Sequence, residues 1–130
     1  MKKLIVIFLS LSFGMTHAQD VFQQKLFSAD HILKYKSEID LEADKVIEIK
    51  KIYNEHLTEF NNLKWDLDAD MTKMSKLLSM SKIDMGEATT LMNSILAKEE
   101  KLKKAKFQTM VTLKNMLSEI QQERLQELKE

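Results

Sequence analysis

The chain has 130 residues, in which 20 Lys and Arg balance 20 Asp and Glu, so its formal net charge at pH 7 is zero. It contains no Cys, no Pro and only two Gly, which excludes a disulfide scaffold, a thiol enzyme and a proline-rich linker protein. The balanced charge gives no indication of nucleic-acid binding. So few turn-forming residues predict long helices and little of the loop surface on which active sites usually lie. We therefore expect an all-α protein that is not an enzyme and needs no cofactor.

The first residues have the three-part pattern of a secretory signal. Lys2 and Lys3 are positively charged, the apolar stretch 4–13 follows, and small residues lead up to Ala18. The apolar stretch is shorter than the roughly 20 residues that a membrane-spanning helix needs. The pattern predicts a signal peptide over 1–18 that is cleaved after Ala18.

The remaining chain divides into a short N-terminal segment and one domain. We predict a flexible N-terminal segment over 19–27 and a single all-α domain over 28–130. Export without Cys, and so without either a disulfide or a lipid anchor, favours the periplasm of a Gram-negative bacterium and no stable membrane insertion.

Capping residues predict four helices separated by short turns. The expected ranges are about 29–37, 41–80, 84–117 and 118–129, with Ser28 capping the first helix and Asp40 lying before the second. Two capping boxes are predicted, one of Asp84 with Glu87 and one of Ser118 with Gln121.

The second predicted helix has an apolar residue at every seventh position. These residues are Val46, Tyr53, Phe60, Leu67 and Met74. A seven-residue period is typical of left-handed helix packing, and a helix of about 40 residues is roughly 60 Å long. We therefore predict a long antiparallel helical hairpin with short flanking helices. Because two helices leave much of a wide apolar stripe uncovered, we also expect a homodimer.

The segment Leu117-Ser118-Glu119-Ile120-Gln121 resembles the Leu-Thr-x-x-Gln motif of the Spy/CpxP-like periplasmic proteins and the related periplasmic heavy-metal resistance sensors. That family uses the motif twice, and Leu41-Glu42-Ala43-Asp44-Lys45 resembles a degraded first copy. The order of short, long, long and short helices over 28–130 is also similar. The motif and capping positions are Leu41, Lys45, Asp84, Glu87, Leu117, Ser118 and Gln121.

This resemblance implies a cradle-like all-α homodimer. Family members include chaperones that hold unfolded clients without ATP, and sensors that bind nickel, cobalt or zinc. We therefore expect a periplasmic chaperone or envelope-stress protein whose partners are unfolded or envelope proteins. The alternative is a periplasmic heavy-metal sensor or resistance protein for nickel, cobalt, zinc or copper. A third possibility is a protein whose apolar stripe docks on one fixed envelope partner.

Methionine and lysine supply the candidate client-binding residues. Methionines cluster around the predicted turn near residue 82, and the stretch 98–106 carries a local charge of +3. Methionine adapts to many partners, although core filling and a copper(I) site are other interpretations. The basic stretch is either a solvated helix face or a band that attracts clients. The predicted client contacts are Phe60, Trp65, Met71, Met74, Lys98, Lys101, Lys103, Lys104 and Lys106.

Under the sensor alternative, the metal ligands would be His31, His56 and Glu59. His56 and Glu59 are three residues apart and can share a helix face, which His31 could join from the first helix. The other interpretation is that both histidines are hydrogen-bonded or exposed. The family's metal sensors add a His and a Met near the positions of Thr109 and Leu113, which this chain lacks.

One acidic segment imitates the start of a calcium loop. Residues 66–70 supply three Asp at alternate positions, but Met71 replaces the required Gly and Leu77 the required Glu. We reject calcium binding and expect Asp66 and Asp70 on a solvated helix face.

Overall fold

The computed structural model describes residues 16–129, and these form helices without any strand. The helices are α1 Thr16–Lys25, α2 Ala29–Lys34, α3 Ala43–Leu78, α4 Met85–Asn115 and α5 Glu119–Leu128. The prediction of an all-α protein with long helices is confirmed. Among these helices, none combines the length and the apolar character needed to cross a membrane. The predicted signal peptide lies outside the described residues up to position 15.

The turn that follows α2 places Asp40 in the left-handed region, with φ at 52°. The backbone N–H of Leu41 donates to the Lys36 carbonyl at 2.9 Å, and that of Asp40 to the Ser37 carbonyl at 3.3 Å. This pair of bonds is a Schellman motif, whose left-handed position usually holds Gly but tolerates Asp. Asp40 therefore ends the preceding turn, and α3 begins after Glu42, whose side chain makes no capping bond.

The two later helix starts are capped by side chains. Asp84 Oδ1 accepts from the backbone N–H groups of Gly86 at 2.9 Å and Glu87 at 3.2 Å. The reciprocal bond predicted from Glu87 is absent from the described contacts. At α5 both halves of the box form, because Ser118 Oγ accepts from the Gln121 N–H and Gln121 Oε1 accepts from the Ser118 N–H. These caps fix where α4 and α5 begin.

The hydrophobic core lies at one end of the molecule. Its buried members are Phe27, Ala29, Ile32, Ile39, Ile49, Leu113, Leu117 and Leu125. They come from α2, α5, the parts of α3 and α4 that lie far from the 79–84 connection, and the connections 26–28, 35–42 and 116–118. Nearer that connection, α3 and α4 bury only Asp70, Leu77 and Ile95. The described chain thus has a packed end and a thin end that consists of two helices.

Residues 19–27, predicted as a flexible segment, contain most of α1 and part of the core. The Phe22 ring lies 5.0 Å from the Phe107 ring, and Phe27 is buried. Lys114 Nζ donates to the Lys25 carbonyl at 3.0 Å, and Lys129 Nζ donates to carbonyls at the same end of α1. Cations at a helix C-terminus satisfy its last carbonyls. No local periodicity predicts these contacts, because Phe107, Lys114 and Lys129 lie far from α1 in the sequence.

Candidate functional site

Exposed apolar side chains concentrate at the thin end. Those on or beside the 79–84 connection are Met71, Leu78, Met80, Ile83, Met85, Met92 and Leu96. We call these seven residues the distal surface. Contiguous exposed apolar surface in soluble proteins marks an interaction site more often than chance. The distal surface is therefore the candidate functional site of the described residues.

Trp65 is exposed but lies on a different side of α3 from the distal surface. Its side chain is 77% exposed. It precedes Met71 by about 1.7 helical turns, so the two side chains point in directions about 120° apart. Ile47, which is also exposed, lies about five full turns from Trp65 and so shares its side. The structure does not bring Trp65 together with Met71.

Phe60 and Met74, the two other apolar contacts predicted from the sequence, are half-buried. The Phe60 ring lies 5.8 Å from the imidazole of His56. Both residues belong to the seven-residue series along α3, and their partial burial follows from that position beside α4. Met74 lies within about one turn of Met71 and Leu78, whereas Phe60 lies about three turns before Met71.

Asp70 lies between α3 and α4, contrary to the expectation of a solvated face. It is only 6% exposed. Its Oδ2 accepts from Lys98 Nζ and from Ser94 Oγ, each at 2.6 Å. The hydrogen bond from Lys98, followed by that from Ser94, lowers the pKa of the Asp70 carboxyl. The sequence missed this trio because Asp70 lies on α3 whereas Ser94 and Lys98 lie on α4.

The basic stretch 98–106 does not form a continuous cationic band on one face. Lys98 is half-buried and paired with Asp70. Lys104 Nζ lies 2.7 Å from Glu100 Oε1, the pairing expected at this spacing. The side chains of Lys101, Lys103 and Lys106 are exposed, but a helix turns about 100° per residue, so these lysines point in several directions.

The two histidines occupy separate environments. His31 Nε2 lies 3.3 Å from the Leu125 carbonyl, and its ring contacts Phe27 and Tyr35. His56 Nδ1 lies 3.1 Å from Thr109 Oγ1. Among residues 20–129 no three His, Cys, Asp or Glu side chains come together in a group that could hold a metal ion. The structure therefore does not assemble His31, His56 and Glu59 into a site.

The environment of His56 disfavours its charged form. Burial between α3 and α4 lowers the pKa of the imidazole, and the cation of Lys106 adds to that effect. The carboxylate of Glu59 opposes it by raising the pKa. His56 is thus a neutral partner of Thr109 at neutral pH.

An open groove of about 780 Å³ lies between α3 and α4 beside their connection. Its lining includes Leu77, Met80 and Leu91 as apolar residues and Lys73 and Lys76 as cations. Asp70 and Ser94 also line it, and these two residues are hydrogen-bonded to each other. The groove thus continues the apolar character of the distal surface onto a more polar side.

Sequence reasoning left several distal residues out of the predicted contacts. Leu78, Ile83 and Leu96 are the clearest cases, since they are large, apolar and exposed. The signal available in the sequence was that these residues lie far along the chain from Phe27, Ser28 and the other residues of the packed end.

Comparisons with protein-family models, with curated proteins and with solved structures found no match.

Proposed function

We propose that this protein is a periplasmic, ATP-independent chaperone or envelope-stress protein that binds unfolded clients through the distal surface. The observation that carries the proposal is the contrast between the two ends of the described chain. Eight residues from several elements form the core at one end, whereas seven large apolar side chains remain exposed at the other. A surface that is apolar yet uncovered matches what an unfolded polypeptide exposes.

The proposal includes an antiparallel hairpin of α3 and α4. Its support is the pairing of side chains, since Asp70 bonds Lys98 near the connection whereas His56 bonds Thr109 farther from it. In an antiparallel pair of helices, the residue that follows an interface residue points to one side of the pair, and that side is the same for both helices. Met71 follows Asp70 in this way, and Leu96 follows the buried Ile95. The exposed apolar residues of both helices then form one face.

The composition of this face suits many clients rather than one. Methionine side chains are unbranched and polarizable, so they repack against differently shaped partners. Lys82 is exposed on the connection itself, and Lys73 and Lys76 are exposed on another side of α3 from Met71. These cations lie near the distal surface and would attract acidic client segments before apolar contact forms.

A homodimer with a cradle shape belongs to the same proposal. The short Leu117–Gln121 motif and the helix order support it through their resemblance to the Spy/CpxP-like proteins. Light scattering coupled to size-exclusion chromatography measures the mass directly, and we expect twice that of the processed chain.

The test is aggregation of a chemically unfolded client, followed by light scattering with and without stoichiometric purified protein. The test variant replaces Met71, Leu78, Met92 and Leu96 by Ser, which removes apolar surface from exposed positions. The control replaces Ile47 and Ile120 by Ser, which removes exposed apolar surface from positions outside the distal surface and outside the predicted client contacts. We expect the wild type and the control to suppress aggregation and the test variant to lose most of that effect.

Two results would contradict the proposal. If the wild type fails to slow aggregation of several unrelated unfolded clients, the chaperone function is wrong. If both variants lose suppression equally while their circular dichroism stays helical, binding does not occur through the distal surface.

A further inference from the structure

Among the described residues no methionine is fully buried and four are exposed, whereas in most proteins methionine is usually buried. No Met is among the eight buried core residues. Four of the seven distal-surface residues are Met, with side-chain exposures of 49% for Met71, 59% for Met80, 77% for Met85 and 48% for Met92. The other described methionines, Met74, Met110 and Met116, are half-buried.

We propose that Met71, Met80, Met85 and Met92 form a reversible oxidation site that switches the distal surface between an apolar and a polar state. This inference rests on the proposed function, since the switch acts on client binding. The chain has no Cys, so no thiol competes for the oxidant and the exposed thioethers are its most readily oxidised groups.

The chemistry balances with hydrogen peroxide as the oxidant. A lone pair of the methionine sulfur attacks one peroxide oxygen, an S–O bond forms and the O–O bond breaks. The sulfur loses two electrons, and the second peroxide oxygen leaves as hydroxide and takes up a proton to give water. Reversal needs a methionine sulfoxide reductase and a dithiol, which becomes a disulfide while the sulfoxide oxygen leaves as water.

Oxidation at these positions would alter binding without unfolding the protein. A sulfoxide is polar, so it removes the apolar contact that each Met offers a client. Losing apolar burial equivalent to one methylene group weakens binding about fourfold for each Met in the contact. The packed end keeps its Ile, Leu, Phe and Ala side chains, which this reaction does not modify.

The experiment exposes the purified protein to a series of hydrogen peroxide concentrations. Peptide mass mapping follows the gain of about 16 Da at each oxidised Met. We expect Met85 to react first, Met80, Met71 and Met92 to follow, and Met74, Met110 and Met116 to react last. Retention on a hydrophobic-interaction column and suppression of client aggregation should both fall, and a sulfoxide reductase with dithiothreitol should restore them. The circular dichroism spectrum should stay helical.

Two matched variants separate the switch from general damage. Replacing Met71, Met80, Met85 and Met92 by Leu keeps the surface apolar and removes the thioethers, so this variant should keep its column retention and client binding after peroxide. Replacing Met74, Met110 and Met116 by Leu should leave the protein as sensitive as the wild type.

Several outcomes would overturn the inference. They are oxidation of the half-buried methionines first, helical unfolding on oxidation, or an unchanged column retention of the fully oxidised protein. Equal inactivation of the first Leu variant would also overturn it. If the untreated protein does not suppress aggregation, the proposed function fails, whereas the mapping and the column retention still test the oxidation site by themselves.

Discussion

Gln121 connects two parts of the chain that lie far apart in sequence, which makes its amide a precise test of the packed end. Its Oε1 accepts from the Ser118 N–H in the capping box. Its Nε2 donates to the carbonyl of the buried Ile39 at 3.2 Å and to that of Asp40 at 3.5 Å. The oxygen of this side chain caps α5, and its nitrogen bonds the turn that precedes α3. One residue therefore holds α5 against that turn.

The substitution Gln121→Glu separates these two contributions. A carboxylate still accepts from Ser118, and an acidic group at this position also interacts favourably with the helix N-terminus. It cannot donate, so the Ile39 carbonyl loses its partner and faces a negative oxygen. Leaving a buried carbonyl unsatisfied costs about 1–3 kcal/mol. For a domain of this size, that cost lowers Tm by roughly 5–15 °C.

The deficit should depend on pH with a definite sign. The introduced acid can donate to Ile39 only when protonated. The loss at Ile39 when it is charged, about 1–3 kcal/mol, exceeds the roughly 0.3–1 kcal/mol that the helix N-terminus contributes to the charged form, so folding raises its pKa above the unfolded value. The variant is then least stable relative to wild type above its folded pKa, and it should recover as pH falls below about 4.3.

Thermal unfolding followed by circular dichroism at pH 7 and pH 4 is the assay, with Gln126→Glu as the control. Gln126 lies on the same helix and is exposed. An acid in this last turn costs about 0.3–1 kcal/mol, so the control should lose less Tm at pH 7 than Gln121→Glu. Equal stability of Gln121→Glu and the control at pH 7 would refute the bridging role of the amide.

Three further changes test other parts of the structure by measurements of unfolding. Asp40→Gly should raise stability by about 0.5–1 kcal/mol in urea unfolding, because Gly adopts the observed positive φ without strain; a loss of stability would contradict the assigned turn. Asp70→Asn should reduce the amount by which stability falls in acid. Folding lowers the pKa of Asp70, so the stability that its carboxylate provides above the unfolded pKa disappears as pH falls. The exposed Asp68→Asn is its control, and an equal effect of both would argue against the pairing with Lys98. His56→Gln should reduce the loss of stability that occurs as pH falls below about 6.5. Burial lowers the pKa of His56 in the folded chain, so protonation favours the unfolded chain. An unchanged pH profile would show that His56 is not desolvated.

Local signals in the sequence predicted the helices well. The absence of Gly and Pro over 41–80 gave a long helix, and α3 ends within two residues of the predicted limit. Asp84 and Ser118 marked the starts of α4 and α5 because capping depends on residues that are neighbours in sequence. Where a structural feature depends only on nearby residues, its pattern is readable in one chain.

Features that join distant segments could not be read in this way. The bond from Gln121 to Ile39 and the trio of Asp70, Ser94 and Lys98 each join different helices. Charge patterning within one helix assigned Asp70 and Lys98 to solvent, since each looks exposed when its own helix is considered alone. Their pairing depends on the register of α3 against α4, which no local pattern contains.

The same trio explains how a thin pair of helices can leave so much apolar surface uncovered. Asp70 accepts two bonds within its own interface, and we infer that this ion pair and this hydroxyl set the register of α3 against α4 where few apolar residues are buried. A buried polar group specifies register well and adds little net stability. With register set in this way, Met71, Leu78, Met92 and Leu96 are not needed between the helices. They remain available for the contacts, and for the oxidation, that we propose at the distal surface.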